Sequence, residues 1–212
     1  MSDADSFIEE VTEEVRRDRL FALMKKYGWI AVLAVLLIVG GAAYNEYRKA
    51  KVAGVAQAFG DAIEAALNAD DAAGQLAALE AVSATGAQKG LVLQLKADAA
   101  LKAGKPDVAA TALQALADDA EQPKALRDLA QFKFLLLGHD MDVAARRAGF
   151  EVVAQSGSTY RLLAEEQVAL IDIQAGKMDD GLALLKEIMA DADVAPAQRD
   201  RISQLIVALG KK

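Results

Sequence analysis

The sequence predicts an all-α chain: a single N-terminal transmembrane helix followed by an α-helical solenoid of antiparallel helix pairs. Three observations carry that prediction. First, 54% of the 212 residues are hydrophobic but only 5% are aromatic, and Pro occurs three times, so the apolar mass is mostly Ala and Leu. Both lose little side-chain freedom in a helix. Second, "GWIAVLAVLLIVGGAAY" (Gly28–Tyr44) contains no charge and lies between basic flanks. Third, apolar positions beyond it recur at three- and four-residue spacing, broken at regular intervals by Gly, Asp and Pro.

Residues 1–27 form the first expected segment. "SFIEEVTEEVRRDRLFALMKK" reads as a short amphipathic helix in which Ser6 and Glu9 make a capping-box pattern. Acidic residues come early and basic residues late, which suits the helix dipole. Ile8, Val11 and Val15 share a face, and Phe21 and Met24 follow. Such a helix binds a partner or a membrane surface, or is a solvated tail that leads to an anchor. Its acidic half disfavours anionic lipid and favours the tail reading.

Residues 28–44 are the expected span. Seventeen residues make a helix of about 26 Å, a little short of a ~30 Å hydrocarbon core. Tyr27 and Trp29 at one end, and Tyr44 and Tyr47 at the other, are the expected membrane-interface anchors, because rings with a polar tip favour the headgroup level. Lys25, Lys26, Arg48 and Lys49 extend their charges to the same level. A cleaved signal peptide is an alternative, with Gly41-Ala42-Ala43 as the cleavage site, and a soluble core helix is another. Against cleavage, 27 residues carrying seven acidic groups precede the run, whereas a signal n-region is short and basic. Arg16, Arg17, Arg19, Lys25 and Lys26 before the run outnumber Arg48, Lys49 and Lys51 after it. That bias places the N-terminus in the cytoplasm and residues 45–212 across the membrane.

Residues 45–212 are expected to fold as about nine helices of roughly 12 to 18 residues, joined by short turns. The first, around Val52–Leu67, is a candidate continuation of the anchor. The breakers are Asp70–Asp71, Gly86, Gly104-Lys105-Pro106, Asp119–Pro123, Gly138-His139-Asp140, Gly157-Ser158, Gly176-Lys177 and Asp191–Pro196. Gly is placed to end helices in the left-handed conformation, and Pro106 is placed at a first helical position. Val108, Ala109, Ala112, Leu113 and Leu116 form one apolar face. Tyr160, Leu163, Ala164, Val168 and Ile171, with Gln167, form a second, and Ile202, Leu205, Ile206 and Leu209 a third. "LKADAALKAGKPDVAATALQALADDA" (Leu95–Ala120) aligns with "QVALIDIQAGKMDDGLALLKEIMADA" (Gln167–Ala192). Gly104 and Gly176 stand 72 residues apart, two units of about 36, with Gly138 as the turn of a weaker middle unit.

These residues resemble tetratricopeptide repeats. In that motif a small residue lies midway along the first helix, Gly at the turn and Ala early in the second helix. Ala97, Gly104 and Ala109 match in one unit; Ala169 and Gly176 match in another, with Gly181 in place of the Ala. All six are the expected repeat-packing residues. The motif's Trp, Tyr and Pro positions are mostly absent. The whole layout resembles the YfgM-like family, ancillary subunits of the bacterial SecYEG translocon, on the tracts "RDLAQFKFLLLGHD" (Arg127–Asp140) and "YRLLAEEQVALIDIQAGKMDDGLALL" (Tyr160–Leu185). The resemblance implies a non-catalytic, single-pass inner-membrane protein. Its repeat domain would face the periplasm and contact translocon subunits and periplasmic chaperones.

The composition excludes much other chemistry. Without Cys there is no disulfide, thiolate metal site or thiol nucleophile. The one histidine, His139, rules out a multi-histidine metal cage, and the net charge of −7 argues against a general grip on nucleic acid. No Walker loop, dinucleotide fingerprint or EF-hand spacing is present. His139-Asp140 reads as an exposed turn, because the acid–base alternative lacks a nucleophile. Ser156-Gly157-Ser158 reads as a helix stop and an N-cap, and Glu165-Glu166 and Asp179-Asp180 as solvated faces. Arg146-Arg147 is expected to pair within the domain, where 24 Asp and Glu outnumber 19 Lys and Arg beyond residue 44. No catalytic residue, cofactor, metal or small-molecule substrate is expected. Beside the tethered scaffold stand two alternatives: a soluble periplasmic adaptor released by cleavage, and a hydrolase using His139.

Overall fold

The computed structural model describes residues 3–155 and 157–210, with the side chains of residues 3–15, Asp18 and Ala31 left undescribed. Ser156 of the expected helix stop therefore lies outside the described residues, as do the side chains of the Ser6–Glu9 capping box. Among the described residues every regular element is α-helical: α1 (Asp3–Leu67), α2 (Ala72–Ala81), α3 (Ala87–Lys102), α4 (Pro106–Ala117), α5 (Lys124–Leu137), α6 (Val143–Val153), α7 (Arg161–Gln174), α8 (Met178–Ala190) and α9 (Pro196–Leu209). Each expected breaker falls in one of the connections between these helices, except that Pro106 and Pro196 are the first residues of α4 and α9. Helices α2 to α9 run from 10 to 16 residues, slightly shorter than the spacing predicts, because the turns consume residues at both ends.

Two compact units divide the chain, Met1–Ala58 and Phe59–Lys212. In the first, the expected amphipathic segment and the apolar run belong to one helix. That helix begins at Asp3, so Ser6 lies inside it and is not its N-cap.

In the second unit, from α2 onward, each helix packs on its neighbour in the chain. Three core clusters follow one another. The first joins Ala66 at the end of α1 to Leu76 and Leu79 of α2, Ala97 and Ala100 of α3, Leu113 and Leu116 of α4, and Ala130 of α5. The second joins α5 and α6 to α7 through Phe132, Leu135, Phe150, Ala164 and Val168. Phe132 meets Phe150 edge-on at 5.6 Å and stacks on Tyr160 at 6.1 Å, so one aromatic contact joins α5, α6 and the residue just before α7. The third joins α7, α8 and α9 through Leu162, Ala169, Leu185, Ile188 and Ile202. Each fully buried Leu or Ile contributes about 1.5–3 kcal/mol. The three sequence-predicted faces supply part of each cluster, Leu113 and Leu116 in the first, Ala164 and Val168 in the second and Ile202 in the third, since helical periodicity marks what turns inward.

Local signals explain the turns, with three corrections. Gly138 ends α5 with φ 55° and Pro106 opens α4, as expected. Gly86, by contrast, does not end α2. The helix stops at Ala81 with Val82 extended, and Gly86 (φ 54°) starts α3 instead. Ser158 is not the N-cap of α7. Tyr160 holds that position, and the Ser158 hydroxyl, two residues earlier, accepts the Tyr160 N–H at 3.2 Å. Glu166 is not on a solvated face but 4% exposed. Gln198 and Arg201 of α9 close over its carboxylate, so a position that would be outward on a surface helix is enclosed.

Candidate functional site: the apolar span and the hairpin turns

The charge-free run lies on a helix long and apolar enough to cross a membrane, and none of its most apolar window is buried. Tyr27, Trp29, Tyr44 and Tyr47 are all exposed, between 48% and 69%. The Lys26 ammonium sits over the Tyr27 ring at 5.3 Å, an arrangement that favours both groups at a polar–apolar boundary. Leu36, Leu37 and Ile38 are each more than 60% exposed. Exposed apolar surface of this extent marks a surface made to be covered.

The six small residues singled out from the repeat pattern occupy two equivalent hairpins. Ala97, Ala109 and Ala169 are completely buried, and Gly181 is buried. A Cβ on Gly181 would stand 2.7 Å from the Ala169 carbonyl oxygen and 2.5 Å from Cγ1 of Ile173, which explains why the second hairpin carries Gly where the first carries Ala109. Gly104 (φ 69°) and Gly176 (φ 87°) are left-handed, a region a Cβ disfavours. Each is followed by the same bond: the Lys105 N–H donates to the Ala100 carbonyl at 2.8 Å, and the Lys177 N–H to the Asp172 carbonyl at 2.8 Å. Hydrogen bonds of this kind return the chain after a helix end.

Charged pairs repeat with the same period. Lys89 at the start of α3 pairs with Asp119 at 2.9 Å, and Arg161 at the start of α7 pairs with Asp191 at 2.8 Å. Both cation and anion shift by 72 residues. Each aspartate also accepts the N–H two residues on, from Glu121 at 3.1 Å and from Asp193 at 2.8 Å. Asp119 is held below the usual carboxylate range first by its bond to Lys89, and Asp191 first by the Asp193 N–H. These pairs were missed in the sequence. Aligning charges as well as apolar positions at the 72-residue offset exposes them.

Two buried carboxylates tie the helices around α7. Asp172 receives two bonds from Arg147, at 2.9 and 2.8 Å, and Arg147 also reaches Glu151 at 2.6 Å. The expected pairing of Arg147 within the domain is thus present. The Arg147 bonds hold Asp172 below its ordinary range, against the opposing effect of burial. Glu166 receives Arg201 at 2.8 and 2.6 Å and Gln198 at 2.9 Å. Beside it, a cleft of about 440 Å³ lies between the starts of α7 and α9, lined by Arg161, Arg201 and Gln198. Asp179 and Asp180 are exposed in the first turn of α8, where the helix dipole favours them. His139 and Asp140 lie in the α5–α6 connection, as expected of a turn, with Asp107 brought against them.

Comparison with protein-family models, characterised proteins and solved structures yields no match.

Proposed function

We propose that this chain is a membrane-tethered scaffold for protein–protein interaction, with a tetratricopeptide-like solenoid as its binding domain. The observation that carries the reading is the pairing of an apolar run that is unburied among the described residues with a set of helices packed in chain order. The matched turns at Gly104 and Gly176, and the ion pairs matched at the same 72-residue offset, support a repeat. Repeats of this type offer extended surface, and a tether raises the local concentration of whatever binds it.

Within that reading, the chain is a single-pass protein of a bacterial inner membrane. Residues 1–27 are cytoplasmic, 28–44 span the membrane, and 45–212 are periplasmic. By its resemblance to the YfgM-like family it acts without catalysis as an ancillary subunit of the Sec translocon and links it to periplasmic chaperones. The test is purification of the native full chain in mild detergent, followed by mass spectrometry of what accompanies it. Translocon subunits enriched over an unrelated single-pass control are the expected result. Their absence, with the chain intact and in the membrane fraction, contradicts the translocon role while leaving the tether in place.

A further inference from the structure

One cluster lies outside both the packing of the hairpins and the proposed scaffold role. Asp107 stands in the first turn of α4, just after the Gly104 turn. His139 and Asp140 follow the equivalent turn residue Gly138 in the next hairpin. Gly138 (φ 55°) and Asp140 (φ 50°) are both left-handed, and the chain bends back between them. Nε2 of His139 contacts Oδ1 of Asp107 and lies 3.4 Å from Oδ2 of Asp140. One donor atom from each of the three residues falls within 4.8 Å of the others. Among the described residues, this is the single group of three or more His, Asp or Glu side chains so placed.

We propose that Asp107, His139 and Asp140 hold a divalent cation of the zinc type, which staples one hairpin turn to the next. The donor set decides the ion. An imidazole nitrogen with two carboxylate oxygens suits zinc and its transition-metal neighbours, whereas magnesium and calcium require oxygen alone. Three protein ligands leave a position for water, and the exposure of both aspartates gives the ion a path in. Charge alone does not make the site. The Arg146 guanidinium lies beside Gly138, close enough to meet a Cβ placed there, and it opposes a cation nearby. Binding must therefore run through the imidazole, and this separates the site from an ordinary acidic surface. Because Asp107 lies in the first turn of α4 and His139 and Asp140 in the α5–α6 connection, the ion links the α3–α4 hairpin to the α5–α6 hairpin. Binding to the folded form alone stabilises it by mass action.

His139 is the sole histidine of the chain, so its imidazole C–H resonances are an unambiguous reporter. The experiment titrates zinc chloride into the full chain, purified without a polyhistidine tag in detergent micelles, and follows those resonances and the thermal midpoint. The expected result is movement of the resonances that saturates at one zinc per chain, no movement with magnesium, and a midpoint raised by zinc. In His139→Gln the rise is lost, and in Asp107→Asn zinc binds at least about tenfold more weakly. All three positions are at the surface, and far-UV circular dichroism checks that the variants fold. Resonances that stay in place under excess zinc overturn the proposal. So does a zinc-dependent rise in His139→Gln equal to that of the unaltered chain, which would place the ion on other carboxylates.

Discussion

Gly181 leaves no room for a side chain in the α7–α8 hairpin. Alanine there gains about 1 kcal/mol in helix propensity, but its Cβ meets a backbone oxygen that cannot rotate away, and overpacking costs about 1–3 kcal/mol. Gly181→Ala is therefore expected to lower the urea midpoint of the full chain in detergent; a raised midpoint would mean that α7 and α8 part easily. Arg147 acts through charge. Its removal leaves Asp172, 4% exposed, with only Lys177 at 3.8 Å. Arg147→Ala is expected to cost about 2–3 kcal/mol by the same denaturation measurement, below the range for fully enclosed pairs because Arg147 is a third exposed. The pH dependence follows in sign. Asp172 is held below its ordinary value of 3.8, so its contribution is complete above that value and is lost as pH falls through the lowered one. An acid titration by circular dichroism should place the unfolding limb of Arg147→Met at higher pH than that of the unaltered chain. The small residues Ala97, Gly104, Ala109, Ala169 and Gly176 were legible in the sequence because repetition marks them. The burial of Glu166 was not, because a Glu-Glu pair on one helix looks the same whether one side or two are covered.

The α3–α4 and α7–α8 hairpins are each closed by a left-handed glycine and an ordered return bond. Gly104→Ala and Gly176→Ala are each expected to cost about 1–2 kcal/mol, the penalty of a Cβ in that conformation. The two turns serve separate hairpins, so the double variant should lose the sum within about 0.5 kcal/mol, as measured by urea denaturation. A loss much larger than the sum would mean that the hairpins depend on each other through the intervening α5–α6 pair. Helix existence and most boundaries were legible, since Gly, Pro and Asp punctuate the apolar period. Misreadings arose where a breaker serves the following helix. Gly86 opens α3, and Ser158 braces the residue that caps α7. A Ser6–Glu9 pattern likewise proposes a cap inside a segment whose preceding residues are already helical. Local patterns suggest several starts, and the surrounding chain selects one.

At the scale of the whole molecule, α1 carries an apolar run that no part of its unit covers, and the second unit stacks its helices in chain order. Length and hydropathy made legible a helix long and apolar enough to cross a membrane, and the breaker spacing made the helix pairs legible. The ion pairs at the 72-residue offset are not legible from local helix faces, because each residue alone looks like an ordinary surface charge. The central claim is that Gly28–Tyr44 remains as an anchor for the helical unit. The most direct test is a sodium carbonate wash of native membranes with intact-mass measurement of the recovered protein. An uncleaved anchor leaves a 22.4 kDa species in the pellet, which is the expected result. A soluble species about 4.5 kDa lighter, the share of 43 residues at this chain's mean residue mass, would contradict it and make the protein a released adaptor without a tether.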